Sequence, residues 1–376
     1  SAVYQNLTVP ALAKQLLESY GFVEGETYEF VVNEQRSPTR EYMVQYRESD
    51  WSFIARWLER EGYFYWYRHT PAGACLVIAD NNGESTEIAA PTTLLFAQDG
   101  LSSGEDVLSL RVRQRQIPAQ VAVADYNYRA PEERLLVVRP VDDQGFGHVI
   151  TYDNHFKTST EGGVVADTRA ERFRATEQEF VGKTDCMRMR VGHRFTMTSH
   201  GDDDYNKTYL ITSTSVKVGQ DPRGMRGAGN QPSLDFTAIS MDVPFRPARA
   251  VPWPRIDAFV TGHVEGEGAG EYAQIDEHGR YKIRMTFDMG TVQGLPASRW
   301  IRMAQSSTGA GYGVHFPLRK GTEVMIGHAG GDPDRPVIMG AIPNAVTPSP
   351  VTSGNATQHV HQTASSIRVE MEDLQG

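Results

Sequence analysis

Cysteine is scarce in this sequence: only Cys75 and Cys186 occur among its 376 residues. Two cysteines this far apart make no disulfide framework. We interpret them as buried, reduced thiols of a chain that folds in the cytoplasm, with a single disulfide as the alternative.

Long apolar stretches are also missing, because no run approaches the ~20 residues of a membrane-spanning helix and no signal-peptide pattern opens the chain. If the protein is exported, we therefore expect export without a cleavable signal.

An excess of positive charge is absent as well. The chain has 37 Lys and Arg against 47 Asp and Glu, which gives a formal net charge of −10. Proteins that bind nucleic acid usually present a basic face to the phosphates, so this balance argues against a nucleic-acid partner. No internal period of about 20–50 residues is visible either, which argues against a repeat array.

Sequence patterns for catalysis and cofactor binding are few. There is no HExxH motif and no Cys/His cluster with zinc-ligand spacing, so we predict neither a metal nor a cofactor. Residues 100–104 match the G-x-S-x-G pattern of a hydrolase nucleophile elbow, which would make Ser102 the nucleophile. That elbow needs a strand before the serine and a helix after it, whereas a strand-like run follows this one. We favour a polar loop and expect no enzyme activity, with a serine hydrolase as the alternative.

Two polar clusters raise the question of a cation site. Residues 202–204 are three aspartates between two alternating segments, which favours a solvated hairpin turn. His359 and His361 would lie on the same face of a strand, where three chains around an axis could share a metal. Because the surrounding residues are typical of a linker, we interpret both as ordinary exposed histidines.

The first 250 residues show both helical and extended patterns. Apolar spacing predicts helices over residues 9–21, from about 49 to 62, and over 164–180. Strands are predicted at 63–67, 75–79, 121–128, 135–138, 187–197, 208–218 and 233–243. The aromatic run at 63–67 is interpreted as a core-filling strand rather than a base-stacking platform. Gly192 interrupts the strand at 187–197, which suggests a bulge.

Four prolines between residues 244 and 254 indicate a connector between domains. Five strands are then predicted at 256–264, 281–287, 300–305, 322–328 and 335–342. A glycine- and proline-containing turn at 330–334 joins the last two as a hairpin. This strand count in roughly 90 residues is typical of a small barrel of the OB type. Its charges are nearly balanced and it has no aromatic ladder, so a free-standing OB-type binding module is the weaker alternative.

The C-terminal residues change character twice. Residues 343–362 are rich in Pro, Ser, Thr and Asn and predict an extended linker. Strict alternation then places Ile367, Val369 and Met371 on one face of a final strand, with charged residues on the other. One short strand cannot bury such a face alone, so it needs neighbours from this chain or from identical chains.

Five segments of the C-terminal third carry a family resemblance. In order they are residues 276–283 (DEHGRYKI), 299–305 (RWIRMAQ), 312–317 (YGVHFP), 321–324 (GTEV) and 331–336 (GDPDRP). With the helix–strand unit at residues 48–64, they closely resemble the VgrG family, the spike proteins of bacterial type VI secretion, and their relatives in contractile phage tail hubs. Agreement of five motifs in order and spacing makes the resemblance specific.

The resemblance implies a mainly β fold with a few helices: a β-barrel tube or hub domain, an OB-like barrel neck and the start of a trimeric β-helix. Residues 1–250 would be the later part of the hub, 255–345 the OB-like barrel, and 346–376 a linker with the first strand of the needle. The family's hub begins upstream of the equivalent of Val9, and its needle continues beyond Gly376. We therefore expect this sequence to be part of a longer chain.

The function that the resemblance implies is mechanical. VgrG proteins form homotrimers that dock on the ring-shaped Hcp tube, carry a PAAR-type tip and effectors, contact baseplate proteins and are pushed through a target membrane. The resemblance implies the same partners here, with assembly in the bacterial cytoplasm and secretion without a signal peptide into a target cell or the medium. Ile367, Val369 and Met371 would then contribute to the trimer interface.

Overall fold

The computed structural model describes residues 1–97, 104–217, 233–266, 272–290 and 299–373. The helices are α1 (Val9–Ser19), α2 (Asp50–Glu61) and α3 (Ser159–Glu177). The strands of the first half are β1 (Ala2–Tyr4), β2 (Tyr28–Val31), β3 (Met43–Gln45), β4 (Phe64–Thr70), β5 (Gly73–Ala79), β6 (Thr86–Glu87), β7 (Thr93–Leu95), β8 (Val107–Gln114), β9 (Gln120–Asp125), β10 (Leu135–Pro140), β11 (His148–Thr151) and β12 (Gln178–Thr184). Those of the second half are β13 (His193–Thr198), β14 (Thr208–Lys217), β15 (Ser233–Ser240), β16 (Val260–Glu265), β17 (Tyr281–Met285), β18 (Trp300–Ile301), β19 (Thr308–Gly309), β20 (Tyr312–Gly313), β21 (Glu323–His328), β22 (Pro336–Ala341), β23 (Gln358–Gln362) and β24 (Arg368–Glu372).

The chain divides into two compact units. The N-terminal unit consists of Thr8–Thr39 and Asp50–Pro252, and the C-terminal unit consists of Ser1–Leu7, Arg40–Ser49 and Trp253–Gly376. Two short segments from the beginning of the chain thus belong to the C-terminal unit, which no local sequence pattern indicated. The three-part division into hub, barrel and needle stays a prediction.

A seven-stranded sheet forms the largest part of the N-terminal unit. Its strand order is β6-β13-β14-β15-β12-β8, and β7 also pairs with β13. Aromatic side chains build its core: Phe195 stacks on Tyr209 with ring centroids 5.5 Å apart, and Phe180 and Phe236 are buried beside them. Two three-stranded sheets, β2-β5-β4 and β10-β9-β11, belong to the same unit. The predicted mainly β fold with a few helices is confirmed.

The two amphipathic helices predicted near the N-terminus are confirmed. Thr8 caps α1, because its hydroxyl accepts the N–H of Ala11 at 3.2 Å. Helix α2 buries Phe53 and ends just before Gly62, whose φ of +82° is the left-handed conformation common after a helix. In the parts of the chain that the structure describes, no helix is long and apolar enough to span a bilayer.

The aromatic run at residues 63–67 forms most of β4, as predicted. Phe64 and Trp66 point inward and stack with ring centroids 5.7 Å apart, and Cys75 of β5 packs in the same cluster. Cys186 lies in the core of the large sheet. Both cysteines are buried free thiols, as predicted for the thiols themselves.

The strand predicted at residues 187–197 is wrong in its first half. Residues 187–192 form turns and loop, and β13 begins only at His193. Gly192 adopts a φ of +77°, and a Cβ at this position would lie 2.2 Å from Cγ of Trp66. The glycine therefore ends a turn against a buried indole ring and is not a bulge within a strand. Arg188 donates to the carbonyl of Pro91 at 3.2 Å, which ties the turn to the preceding segment.

Helix α3 begins and ends earlier than the predicted range of 164–180. Its cap is Thr158, whose hydroxyl accepts the N–H of Glu161 at 3.2 Å. Gly162 weakens the helical pattern in the sequence, but a Cβ there would lie 2.8 Å from the ring of Phe156. The end of the predicted helix is also wrong, because residues 178–184 form β12 and Phe180 is buried in the sheet.

All five strands predicted for the OB-like barrel are present in the C-terminal unit. Their order is β18-β17-β16-β21-β22. After β18, Met303 pairs in parallel with Ile338 of β22, and the N–H of Ala304 donates to the Ile338 carbonyl at 2.8 Å. This pairing joins the two edges of the sheet, as closure of a small barrel requires. Buried apolar side chains fill the interior: Val264, Tyr281, Ile283, Met285, Ile301, Val324, Ile326 and Ile338.

The family-like motifs contact one another within this unit. The hydroxyl of Tyr281 lies 2.8 Å from Nε2 of His315 and accepts the N–H of Leu318 at 3.0 Å. Arg280 and Asp276 form an ion pair at 2.6 Å. These contacts attach the loop that contains residues 315–318 to the barrel and close the turn before β17. The motif residues therefore stabilise the barrel itself.

Two hydrogen bonds from backbone amides to carboxylates attach the N-terminal segments to the C-terminal unit. The N–H of Val3 donates to Asp288 at 3.2 Å, and the N–H of Val44 donates to Asp334 at 2.6 Å. These bonds join residues 285 and 290 positions apart in the sequence. Strands β1 and β3, which contain the two valines, also pair with each other.

His328, at the end of β21, makes the C-terminal unit sensitive to acid. Neither of its ring nitrogens has a hydrogen-bond partner within the described residues, and burial lowers the pKa of His328 to about 4. An unfolded histidine has a pKa near ~6.5, so the unfolded chain takes up this proton first as the pH falls. The contribution of this neutral histidine to stability is therefore complete above about pH 6.5 and is lost progressively toward pH 4.

We expect protonation linked to His328 to lower the free energy of unfolding by roughly 1–3 kcal/mol between about pH 6.5 and pH 4. His328→Leu should remove this part of the pH dependence. The matched control His278→Leu should keep it, because the side chain of His278 is 62% exposed in a turn. Denaturant unfolding across this pH range measures the difference. Equal pH slopes for the wild type and His328→Leu would contradict the assignment.

Candidate functional site

The C-terminal residues form a β-hairpin. β23 and β24 pair antiparallel, with His359 opposite Met371 and His361 opposite Val369. The N–H of Thr363 donates to the carbonyl of Ile367 at 2.8 Å and closes the turn. The linker predicted at residues 343–362 is therefore wrong over its last five residues, because cross-strand pairing with β24 makes them a strand. We call this element the C-terminal hairpin.

One face of the C-terminal hairpin carries a network of polar side chains centred on Arg368. The guanidinium of Arg368 contacts the Glu370 carboxylate at 2.6 Å and the side-chain carbonyls of Gln358 and Gln362, each at 3.1 Å. These four side chains hold both strands in register by hydrogen bonds and an ion pair. The sequence showed the alternation of β24 but gave no sign of this network, since its partners on β23 lay in the presumed linker.

The other face of the C-terminal hairpin carries the three residues predicted for the trimer interface. Val369 and Met371 share this face, and Ile367 lies at the entrance to β24. Their exposed fractions are 67% for Ile367, 60% for Val369 and 57% for Met371. Such exposed apolar residues on one face are typical of a surface that another element covers. Their role in a trimer interface stays a prediction.

The two histidines of the hairpin lie on this same face, as the alternation predicted. Nε2 of His359 lies 3.0 Å from a carboxylate oxygen of Asp373, and the imidazole of His361 stacks on Phe316 with ring centroids 5.7 Å apart. Both rings thus have contacts within the C-terminal unit that need no metal. Phe316 and Asp373 were not singled out in the sequence, because neither contact follows a local spacing.

The structure describes one of the two remaining candidates from the sequence. Asp203–Tyr205 forms a single 3-10 turn between β13 and β14, and the side chain of Asp202 caps it by accepting the N–H of Asp204 at 3.0 Å. The predicted solvated hairpin turn is confirmed. Ser102 lies outside the described residues, so the structure gives no geometry for a nucleophile there.

The chain thus consists of a β-rich unit followed by a small barrel of the OB type, and two family models match these parts. Residues 1–222 match the family described as phage tail baseplate hub (GPD), and residues 272–342 match the type VI secretion system/phage-baseplate injector OB domain. The chain belongs to the phage tail baseplate hub family, and its resemblance to the VgrG spike proteins is confirmed.

Curated relatives and a solved structure agree with this assignment. The chain is 28% identical to the type VI secretion system spike protein VgrG1a of Pseudomonas aeruginosa, over 100% of this chain and 60% of that protein. It is 30% identical to VgrG1c of the same organism, over 100% of this chain and 53% of that protein. The chain therefore spans between half and two thirds of the length of these relatives.

The solved structure is that of the E. coli c3393 protein, described as a component of the type VI secretion system with similarity to T4 bacteriophage tail proteins gp27 and gp5. It has a TM-score of 0.62 and 21% sequence identity, and covers 91% of this chain and 73% of that chain. At this identity the comparison supports the fold alone.

Proposed function

We propose that this chain is the hub-and-neck part of a homotrimeric spike in a type VI secretion system. The observation that carries the proposal is the C-terminal hairpin, which follows the OB barrel and exposes Ile367, Val369 and Met371, while its opposite face carries the polar network of Arg368. Three copies around an axis would bury all nine of these side chains. At about 1.5–3 kcal/mol for each fully buried side chain, the gain has an upper bound near ~13–27 kcal/mol per trimer.

Ordering the hairpin opposes this gain, at roughly 1–2 kcal/mol for each residue that becomes fixed. The net contribution of the hairpin is therefore much smaller than the upper bound, and other surfaces of the chain must supply the rest of the interface. The trimer would dock on the Hcp tube, carry a PAAR-type tip, contact effectors and baseplate proteins, and puncture a target membrane when the sheath contracts.

The proposal includes no enzyme activity and no nucleic-acid partner for this chain. The curated relatives VgrG1a and VgrG1c are spike proteins by name, and the net charge of −10 opposes binding to phosphates. Assembly would take place in the bacterial cytoplasm, followed by secretion into a target cell or the medium without a cleavable signal. The two buried free thiols are compatible with folding in a reducing compartment.

Light scattering on the purified chain tests the oligomeric state. One chain has a mass of 41.8 kDa, so a trimer should have a mass of about 3 × 41.8 = 125.4 kDa. The double substitution Val369→Asp and Met371→Asp should weaken the trimer, so that it dissociates at concentrations at least about tenfold higher than the wild type. Because the dissociation constant of a trimer depends on the square of concentration, this shift is equivalent to about 2.7 kcal/mol per trimer.

The matched control is the pair Gln358→Asp and Gln362→Asp. It adds the same two negative charges to the opposite face of the same hairpin, beside the Arg368 guanidinium. This variant should dissociate like the wild type. A full-length chain that remains a monomer near 41.8 kDa at tens of micromolar would remove the main support for the spike proposal.

A further inference from the structure

Three arginines of the N-terminal unit lie close together without an acidic partner. Arg169 and Arg172 are three residues apart on α3, so their side chains leave the same side of the helix. Arg249 belongs to the proline-rich segment after β15. Arg169 is buried, with 8% of its surface exposed, Arg172 is half-buried, and the side chain of Arg249 is exposed.

Other arginines beside this cluster are paired with a carboxylate. Arg246 contacts Glu171 at 2.6 Å and Arg139 contacts Asp167 at 2.7 Å, both on α3. By contrast, Arg169 donates to the hydroxyl of Thr151, and Arg172 donates only to main-chain carbonyls. Within the described residues, none of Arg169, Arg172 and Arg249 forms an ion pair with Asp or Glu.

Hydrogen bonds on both sides hold Arg249 beside α3. The Nε of Arg172 donates to the carbonyl of Pro247 at 2.5 Å. On the other side, the Glu59 carboxylate accepts the N–H groups of Ala250 and Val251 at 2.9 and 3.0 Å. The same oxygen of Glu59 receives both of these amides, so its charge is already engaged by the backbone. Arg172 and Arg249 therefore share the influence of this one carboxylate.

Loss of hydration and mutual repulsion make the positively charged state of these guanidinium groups less favourable. Burial lowers the pKa of Arg169. Loss of hydration, and then the charge of Arg169, lower the pKa of Arg172 as well. Arg249 lies within electrostatic range of both Arg169 and Arg172. Because arginine stays protonated in proteins, the positive charge remains and its unfavourable environment persists. An anion placed among the three groups would relieve it, and the exposed side chain of Arg249 leaves the cluster open to solvent.

We infer that Arg169, Arg172 and Arg249 form a binding site for an oxyanion group, either a phosphate or a carboxylate. The planar guanidinium fork matches the oxygens of both groups and forms charge-assisted hydrogen bonds with them. Arg172 and Arg249 provide the accessible donors, and Arg169 adds charge from the buried side. This site is independent of the proposed spike function, because it requires neither a trimer nor the C-terminal hairpin.

Thermal unfolding of the full chain in different anions tests the site. At constant ionic strength, replacing chloride with about 10 mM inorganic phosphate or succinate should raise the Tm by at least about 2 °C, since a ligand that binds only the folded state stabilises it. Arg249→Gln should abolish this rise. The matched control Arg113→Gln removes the same charge from an exposed arginine of β8 that contacts Glu179, and it should keep the rise.

A second variant separates a binding site from a purely structural cluster. Arg249→Glu places a carboxylate next to Arg169 and Arg172 within the same chain. It should raise the Tm in chloride above that of the wild type and should no longer respond to phosphate or succinate.

In the wild type, a response to phosphate alone would assign the site to phosphate groups, and a response to succinate alone would assign it to carboxylates. No response to either anion, or a response that Arg249→Gln retains, would overturn the inference.

Discussion

Arg246→Met is expected to lower the free energy of unfolding of the N-terminal unit by about 3–5 kcal/mol, one of the two largest effects that the structure predicts. Arg246 has 4% of its surface exposed. Its guanidinium contacts the Glu171 carboxylate at 2.6 Å, donates to the carbonyl of Gly62 at 3.2 Å, and donates to the carbonyl of Asp80. Methionine fills much of the same volume but leaves one carboxylate and two carbonyls without their donor.

Urea unfolding followed by far-UV circular dichroism measures this loss. The matched control is Arg113→Met, because Arg113 also contacts a carboxylate, that of Glu179 at 3.3 Å, but its side chain is 56% exposed. Exposed ion pairs contribute about 0–1 kcal/mol, so the control should remain within this range. A loss below about 1 kcal/mol for Arg246→Met would show that the unit does not depend on this buried arginine.

Gly192→Ala is expected to destabilise the N-terminal unit by about 2–5 kcal/mol. Two effects combine at this position. The φ of +77° disfavours any residue with a Cβ by about 1–2 kcal/mol. The new methyl group would also lie 2.2 Å from Cγ of the buried Trp66, and such overpacking costs typically about 1–3 kcal/mol.

Gly21→Ala separates the two effects. Gly21 has nearly the same backbone conformation, with a φ of +81°, but nothing lies within 4 Å of the position of an added Cβ. This control should show only the backbone penalty of about 1–2 kcal/mol. The difference between the two variants in chemical unfolding measures the contact with Trp66. Equal losses would mean that the indole ring moves aside freely.

Sequence patterns predicted helices and strands well where burial of one face of a single element determined its conformation. The apolar spacing of α1 and α2 and the alternation of β17, β21 and β22 each follow from burying one side of a single element. The predictions were wrong where a neighbour distant in sequence decided the conformation. Residues 178–184 form β12 because they pair with β8 and β15, and residues 187–192 form a turn in which Gly192 packs against the distant Trp66.

In the candidate site, too, some features were visible in the sequence and others were not. The alternation of Ile367, Val369 and Met371 was visible in the sequence, as was the shared face of His359 and His361. The pairing of β23 with β24 was not visible, because residues 358–362 lack the composition of a strand and owe their conformation to the partner strand. Cross-strand hydrogen bonds can impose an extended conformation that intrinsic propensity does not favour.

The sequence by itself determined the family, the five barrel strands, the two N-terminal amphipathic helices and the absence of an apolar run long enough for a membrane helix. These properties depend on residue type and short-range spacing, which a linear chain displays directly. Only the tertiary structure decided that β1 and β3 belong to the C-terminal unit and that three arginines meet beside α3. The carboxylates of Asp288 and Asp334 accept amides nearly 300 residues away in the sequence, and Arg249 approaches Arg169 across 80 positions. Hydrogen bonds and charge clusters of this kind follow no period, so they exist only once the chain has folded.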